Sequence, residues 1–442
     1  MINLKIINCK LIKMIVFASI YFLLTSAVLP VIIFPICLYY FKKGLWSSER
    51  IGIINCDGAF YSNKISPIWI HAASVGEVNV ILPVIDDLIE NTKHKILVST
   101  MTKTGKLYLK EKTKSIPEDR LQHLFLPIDF WFFCWVFIKK VCPIKLIIAE
   151  TEIWPSLYLV CHFCNLPITI INGRISDKSF LSYKKGSLFW RSIFKKIHFV
   201  ATQSELDQKR FNELGVDVSK TMIAGNLKND GLLKVLKNPP DQIEFAVNKK
   251  VIVFGSVRPK EAQFMLEVIK ELSQEFQDLS FIICPRHFDW MDNLLILLKE
   301  FLFEEPLISS KCSEADMKSA NRILIIDEIG YLLSAYRGAK LAYVGGTFVP
   351  EYGGHNALEP ASFGIPVFIG PYYEEQKVNT NALLAFKGAI IVKSTEEMIA
   401  ETKKLLLSDS LWKVASEAGI KTVLQEANAL EKIKIAGILN EI

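Results

Sequence analysis

"EYGGHNALEPASFGIPVFIGP", residues 351–371, runs from two adjacent glycines through a histidine, an asparagine and a glutamate into an apolar run. It reads as a loop, a helix and then a buried strand over 366–369. Backbone amides freed at a helix start form an anion site, and glycines let a ligand come close to them. A negatively charged ligand is therefore the first expectation. Asn356 and Glu359 also have the N-x-x-E spacing of a helix cap, which accounts for those two residues but not for Gly353, Gly354 and His355 ahead of them.

The same alternation extends outward through the chain. Apolar runs of strand length fall at 68–73, 95–100, 121–127, 145–149, 167–171 and 198–201, with helical-period segments between them. A second set falls at 251–255, 279–284, 322–326, 341–344, 366–369 and 389–392. Strands alternating with helices predict parallel sheets joined by crossover helices. Between the sets the composition shifts at "LLKVLKNPPDQIEFAVNKK", residues 232–250, where Pro239 and Pro240 sit among charges; this predicts an inter-domain linker. The expected fold class is α/β, with two Rossmann-like domains, 46–231 and 251–442, facing across a cleft, and an N-terminal membrane anchor over 1–45. In such a fold the ligand belongs in the cleft, at the C-terminal ends of the strands.

A chain of 442 residues is too long for one core. Half of it is hydrophobic and 22% is charged, which excludes a disordered protein. The net charge of +6 comes from 52 basic residues mixed among 46 acidic ones, without a concentrated basic face, so nucleic acid is not an expected partner. An anionic small ligand or an anionic membrane surface fits this balance better. The nine irregularly spaced cysteines do not make a complete disulfide framework. Cys161 and Cys164 have C-x-x-C form, but no second Cys or His pair accompanies them, and packing thiols are expected.

Residues 14–41 carry no charge and exceed the ~20 positions that a membrane-spanning helix needs. Lysines flank both ends, so the positive-inside rule barely orients the segment. "DFWFFCWVFIKK", residues 129–140, is apolar on nearly every side and too short to span a bilayer. It reads as a helix buried against the sheet, with a membrane-dipping surface as the alternative.

The distinctive polar clusters fall at the ends of expected strands. "WIHAASVGEVN" (69–79) turns through Gly76 into a helix with Glu77 at its start, either a residue favoured by the helix dipole or a general base. "IIAETEIWPSL" (147–157) puts Glu150 and Glu152 at the next strand end. "GNLKND" (225–230) brings Lys228 beside the linker. "CPRHFDW" (284–290) ends a strand of the second half with Arg286 and His287; an arginine there suits a phosphate through paired hydrogen bonds, or else a surface ion pair.

Together these clusters resemble the 3-deoxy-D-manno-octulosonic acid (Kdo) transferases of lipopolysaccharide biosynthesis. The resemblance runs from about residue 45 onward and is carried by HAASVGE, ETEIWPSL, INGRIS (171–176), QSELDQKRF (203–211), GNLKND, PRH and YVGGTFVPEYGGHNALEPASFGIPVFIGP, in that order. It implies a GT-B fold and a metal-independent, inverting transfer of Kdo from CMP-Kdo onto the lipid A precursor, lipid IVA, without a cofactor. The enzyme would sit on inner-membrane phospholipid with its catalytic domains on the cytoplasmic side. By the family's pattern Glu77 is the base, and Glu150 and Lys228 stabilise the transition state. CMP would be held by Pro285 and Arg286, by Ile329, Gly330 and Tyr331, and by Asn356, Ala357, Leu358 and Glu359.

The chain also departs from that pattern. "GSVRPKEA" (255–262) has Val257, Lys260 and Ala262 where a threonine, a glycine and an acid are usual, although Arg258 and Glu261 remain. Glu375 stands where an asparagine is expected, and Asn229 where an aromatic is. Two other classes stay open on the sequence: a GT-B enzyme using a different nucleotide sugar, and a membrane-tethered binding protein without turnover.

Overall fold

The structure, a computed structural model, describes residues 21–23, 25–26, 35, 38–42, 46–54, 65–302, 305–319 and 322–439. The chain forms two units. Asn229–Asn428 makes the second, and the chain after Asn428 rejoins the first.

In the first unit β1 (Ile68–His71), β2 (Ile96–Thr100), β3 (Leu121–Phe125), β4 (Lys145–Ala149), β5 (Ile168–Gly173), β6 (Phe199–Thr202) and β7 (Thr221–Ile223) form one sheet. Its order is β3-β2-β1-β4-β5-β6-β7, with every neighbouring pair parallel. β1, β2 and β4 are buried along their whole length. Strands covered on both faces read as continuous apolar runs, which is the pattern the sequence carries. The two-residue period still sorts the side chains: Trp69, Leu97, Leu146 and Ile148 enter one core, while Ile68, Ile70, Val98 and Ile147 enter the other. The helix Val75–Asn91 lays Val80, Ile81, Val84 and Leu88 on the second core, and Trp131–Val141 lays Phe137, Ile138 and Val141 on the first. Each such side chain contributes roughly 1.5–3 kcal/mol by burial.

The second unit repeats the plan with β8 (Lys250–Val257), β9 (Leu279–Pro285), β10 (Leu307–Ile308), β11 (Ile323–Ile325), β12 (Leu341–Val344), β13 (Val367–Ile369) and β14 (Ala389–Ile391). The order is β10-β11-β9-β8-β12-β13-β14, again parallel throughout. Ile252, Phe254, Phe281 and Ile283 fill one face; Val251, Val253, Ile282 and Cys284 fill the other. All twelve expected strands are present to within two residues. β7 and β10, edge strands of three and two residues, are too short to leave a period in the sequence.

Two expectations change, and a third falls mostly outside the described residues. First, the start of the expected linker is the helix Asp230–Lys237, because Leu232 packs with Ala357 and Leu358 in the second unit's core. Second, the expected domain 251–442 loses its end to the first unit. Ala429, Ile433, Ile438 and Leu439 share a core with Val80 and Ile81, and Lys145 Nζ donates to the carbonyls of Ile438 (3.0 Å) and Leu439 (3.4 Å).

Third, the anchor expected at 14–41 lies largely outside the described residues, among which no helix is long and apolar enough to cross a membrane. Its described part packs on the first unit: the Tyr21 and Ser156 hydroxyls hydrogen-bond at 2.8 Å, and Trp131 Nε1 donates to Ser26 Oγ at 3.1 Å. The 129–140 stretch forms the helix Trp131–Val141, as its first reading expects. Cys134, Phe137, Ile138 and Val141 are buried, while Phe132 and Trp135 remain 44% and 43% exposed. Cys161 and Cys164 are free thiols, Cys161 packed in the core.

Candidate active site

In the first sheet β1 and β4 are neighbours, yet the chain leaves β1 toward β2 and β3 and returns on the other side at β4. Such a switch in winding opens a crevice beyond the strand ends, where ligands of doubly wound sheets bind. The acids sit at these two ends. Ser74 caps the helix Val75–Asn91 in a reciprocal box with Glu77, whose Oε2 accepts the Ser74 amide at 2.6 Å. Burial raises the Glu77 pKa, and the Glu150 charge adds to that; hydrogen bonds from Ser74 and the charge of Lys228 offset only part.

Glu150 follows β4 with φ at 58°, its N–H donating to Ile171 O at 2.9 Å. A glutamate held in that left-handed conformation costs of order 1–3 kcal/mol, a strain that tends to persist at functional sites. Its Oε1 receives Lys228 Nζ at 2.7 Å. Lys228 is placed by the turn Leu227–Asn229, where the Leu227 N–H donates to Oδ1 of the buried Asn172 at 3.0 Å. Glu77, Glu150 and Lys228 thus lie within electrostatic reach of one another. Glu152 joins them, pushed up to about 7 by burial and then by the charge of Glu77. The sequence paired Glu152 with Glu150 but gave it no role.

The second sheet switches between β8 and β12. There Glu261 is fully buried and gathers the loops at both strand ends. Its Oε2 accepts from the amides of Arg258 (3.1 Å) and Gly346 (2.8 Å). Its Oε1 accepts from the amides of Thr347 and Phe348 (both 3.1 Å) and from the Tyr343 hydroxyl (3.0 Å). A carboxylate bound by five donors is a fixed part of the loop rather than a ligand group. The approach of the strands leaves no room beside it: a Cβ on Gly345 would lie 2.4 Å from Ser256 O.

Beyond this point Gly353 and Gly354 take φ values of 68° and 90°, and the chain then makes only one helical turn, Leu358–Ala361. The helix expected there is too short to supply a macrodipole. Nor does the N-x-x-E cap form. Asn356 Oδ1 accepts the Leu358 amide at 3.2 Å in a local turn, and the Glu359 carboxylate has no hydrogen-bond partner among the described residues. Burial pushes Glu359 up to about 7, with Arg286 as the opposing charge. His355 is driven down to about 4 by burial and then by Arg286, Arg258 and His287; its buried Nε2 has no hydrogen-bond partner among the described residues. It is therefore neutral near pH 7, which leaves the cationic charge around it on Arg258 and Arg286.

Among the remaining predicted residues, Pro285 closes β9, and Arg286 follows it, exposed, with its N–H donating to Val257 O at 3.0 Å. Ala357 and Leu358 are wholly buried in the core, and the Leu358 N–H is already taken by Asn356 Oδ1. Ile329, Gly330 and Tyr331 follow β11, one strand along from β9; Ile329 is 90% exposed, and Tyr331 lines a cavity of about 970 Å³ with Glu328 and Gln242.

Two parallel α/β units, each with polar residues at its switch point, define a GT-B-like class. The UDP-GlcNAc 2-epimerase of Neisseria meningitidis, solved with UDP-GlcNAc, shares this fold with a TM-score of 0.58 over 85% of this chain and 100% of that one, at 15% identity. The family described as "3-Deoxy-D-manno-octulosonic-acid transferase (kdotransferase)" matches residues 47–231. The 3-deoxy-D-manno-octulosonic acid transferase of Rickettsia bellii is 33% identical over 347 residues, 77% of this chain and 79% of that protein. That of Haemophilus influenzae is 29% identical over 385 residues, 85% and 88%. The chain belongs to the 3-deoxy-D-manno-octulosonic acid transferase family and is a Kdo glycosyltransferase.

Proposed function

We propose that the enzyme moves Kdo from CMP-Kdo to lipid IVA by direct displacement, with inversion and without a metal or cofactor. Glu77 takes the proton of the acceptor hydroxyl. The freed oxygen then bonds to the anomeric carbon, and the electron pair of the broken bond leaves on the CMP phosphate. The observation that carries this reading is the group at the first switch point: a carboxyl made more basic by burial, beside the Lys228–Glu150 ion pair. A base whose pKa is raised toward working pH combines availability with strength. Lys228 and Glu150 stabilise the transition state. Arg286 takes the charge that grows on the leaving phosphate, and Glu359 accepts ribose hydroxyls.

The lipid acceptor belongs to the same proposal. Residues 14–41 hold the protein at the inner membrane, with its catalytic units on the cytoplasmic face. The exposed Phe132 and Trp135, stacked with centroids 6.2 Å apart and followed by Lys139 and Lys140, support contact with its phospholipid.

The test is transfer by detergent-solubilised protein, given CMP-Kdo generated in situ and lipid IVA, with EDTA present and products read by mass. Wild type should add whole Kdo units, and Glu77→Gln should add none while binding CMP normally. Absence of product from folded wild type would sink the assignment of donor and acceptor. Product only without EDTA would sink metal independence.

A further inference from the structure

Asn229 and Asn379 are 1% and 5% exposed and face each other across the second unit's interior. Their amides bond reciprocally: Asn229 Nδ2 donates to Asn379 Oδ1 at 3.0 Å, and Asn379 Nδ2 donates back to Asn229 Oδ1 at 3.2 Å. Asn379 Nδ2 also donates to Asn356 Oδ1 at 3.2 Å. Burying amides is unfavourable unless they are paired, and Asn379 lies in the first turn of the helix Lys377–Phe386.

The orientation of the chain of amides follows from one backbone group. The Leu358 N–H can only donate, so it selects the oxygen of Asn356. That oxygen in turn demands a donor from Asn379, which fixes Asn379 and then Asn229. Turning Asn356 around would set its NH2 against two donors. Its own NH2 therefore points away from the relay, with no hydrogen-bond partner among the described residues.

We infer that Asn379, backed by Asn229, is a positioning residue that holds the Asn356 amide with its two donors toward the donor nucleotide. The acceptors they meet are phosphate or ribose oxygens. The inference rests on the CMP-binding reading of residues 356–359. Two neighbouring contacts brace the same loop: Lys260 Nζ pairs with Glu351 at 2.7 Å, and the Glu375 N–H donates to Gly353 O at 3.0 Å.

The test separates holding the loop from filling the core. Asn379→Leu and Asn229→Leu each strand one buried amide and should lower Tm by several degrees. The double variant Asn229→Leu/Asn379→Leu keeps the branching of both side chains and leaves neither amide stranded, so its Tm should recover above that of either single variant. Amide hydrogen exchange over 351–359 and calorimetric CMP binding are then measured on wild type and the double variant. The expected result is faster exchange in that loop and about tenfold weaker CMP binding despite the recovered Tm. Wild-type exchange and affinity in the double variant would reduce the relay to core packing and overturn the inference. Faster exchange together with no CMP binding by wild type would overturn the nucleotide reading while leaving the relay's hold on the loop demonstrated.

Discussion

At the scale of single residues, protonation is set by burial more than by pairing. Glu152 and Glu359 are each pushed up to about 7 from an ordinary value of 4.5. A raised carboxyl binds its proton more tightly in the folded chain than in the unfolded one. Its contribution to stability is therefore complete below about pH 4.5 and is lost as pH rises to about 7. Tm measured across that window should fall less steeply in Glu152→Gln and in Glu359→Gln than in wild type; an unchanged slope would show that neither group titrates there. Arg286→Ala should weaken CMP binding by about ten- to a hundredfold, since a charge-assisted bond to phosphate is worth about 1.5–3 kcal/mol. Equal affinity by calorimetry would move the phosphate elsewhere. The positions of Glu150 and Arg286 were legible because each follows an apolar run at once, and that of Glu77 because a glycine turn and a helix start follow one. Asn379 was not, because a lone asparagine inside a helix leaves no period, and its partner is distant in sequence.

At the scale of elements, the loops after β8 and β12 take their shape from one carboxylate. Glu261→Ala strands the Gly346, Thr347 and Phe348 amides in a buried place, and each orphaned donor costs about 1–3 kcal/mol. Thermal unfolding should detect a loss of several kcal/mol, and CMP binding should fall with it. A Tm within a degree of wild type would mean that the loop finds other acceptors. Here the sequence misled in a definite way. The apolar spacing after Asn356 promised a helix with a dipole, yet Pro360 and the turn at Gly364 confine it to Leu358–Ala361. Strand existence was readable because full burial on both faces makes runs too apolar to be anything else; the short edge strands had no such run to show.

For the whole molecule, the two-sheet architecture followed from two sets of strand–helix alternations separated by a change in composition. The true division did not, since a segment such as 429–435 reads as an amphipathic helix whichever core it joins. Truncation after Asn428 should therefore destabilise the first unit more than the second. It uncovers the core face around Val80 and Ile81 and leaves the buried Lys145 without the Ile438 and Leu439 carbonyls. Hydrogen exchange resolved by peptide would show protection lost first in 68–149; loss confined to 250–428 would contradict this packing.

That returning segment also sets an order on the ribosome. The second unit, Asn229–Asn428, can leave the exit tunnel and close on its own sequence, whereas the first, begun earlier, has to wait for residues 429–439, made after the whole of the second. For the 200 or so residues of translation between them, at about 5–20 residues per second, an apolar face of the nascent chain stands uncovered for tens of seconds. That interval is long enough to call on a chaperone, and it makes the older half of the polypeptide the later one to mature.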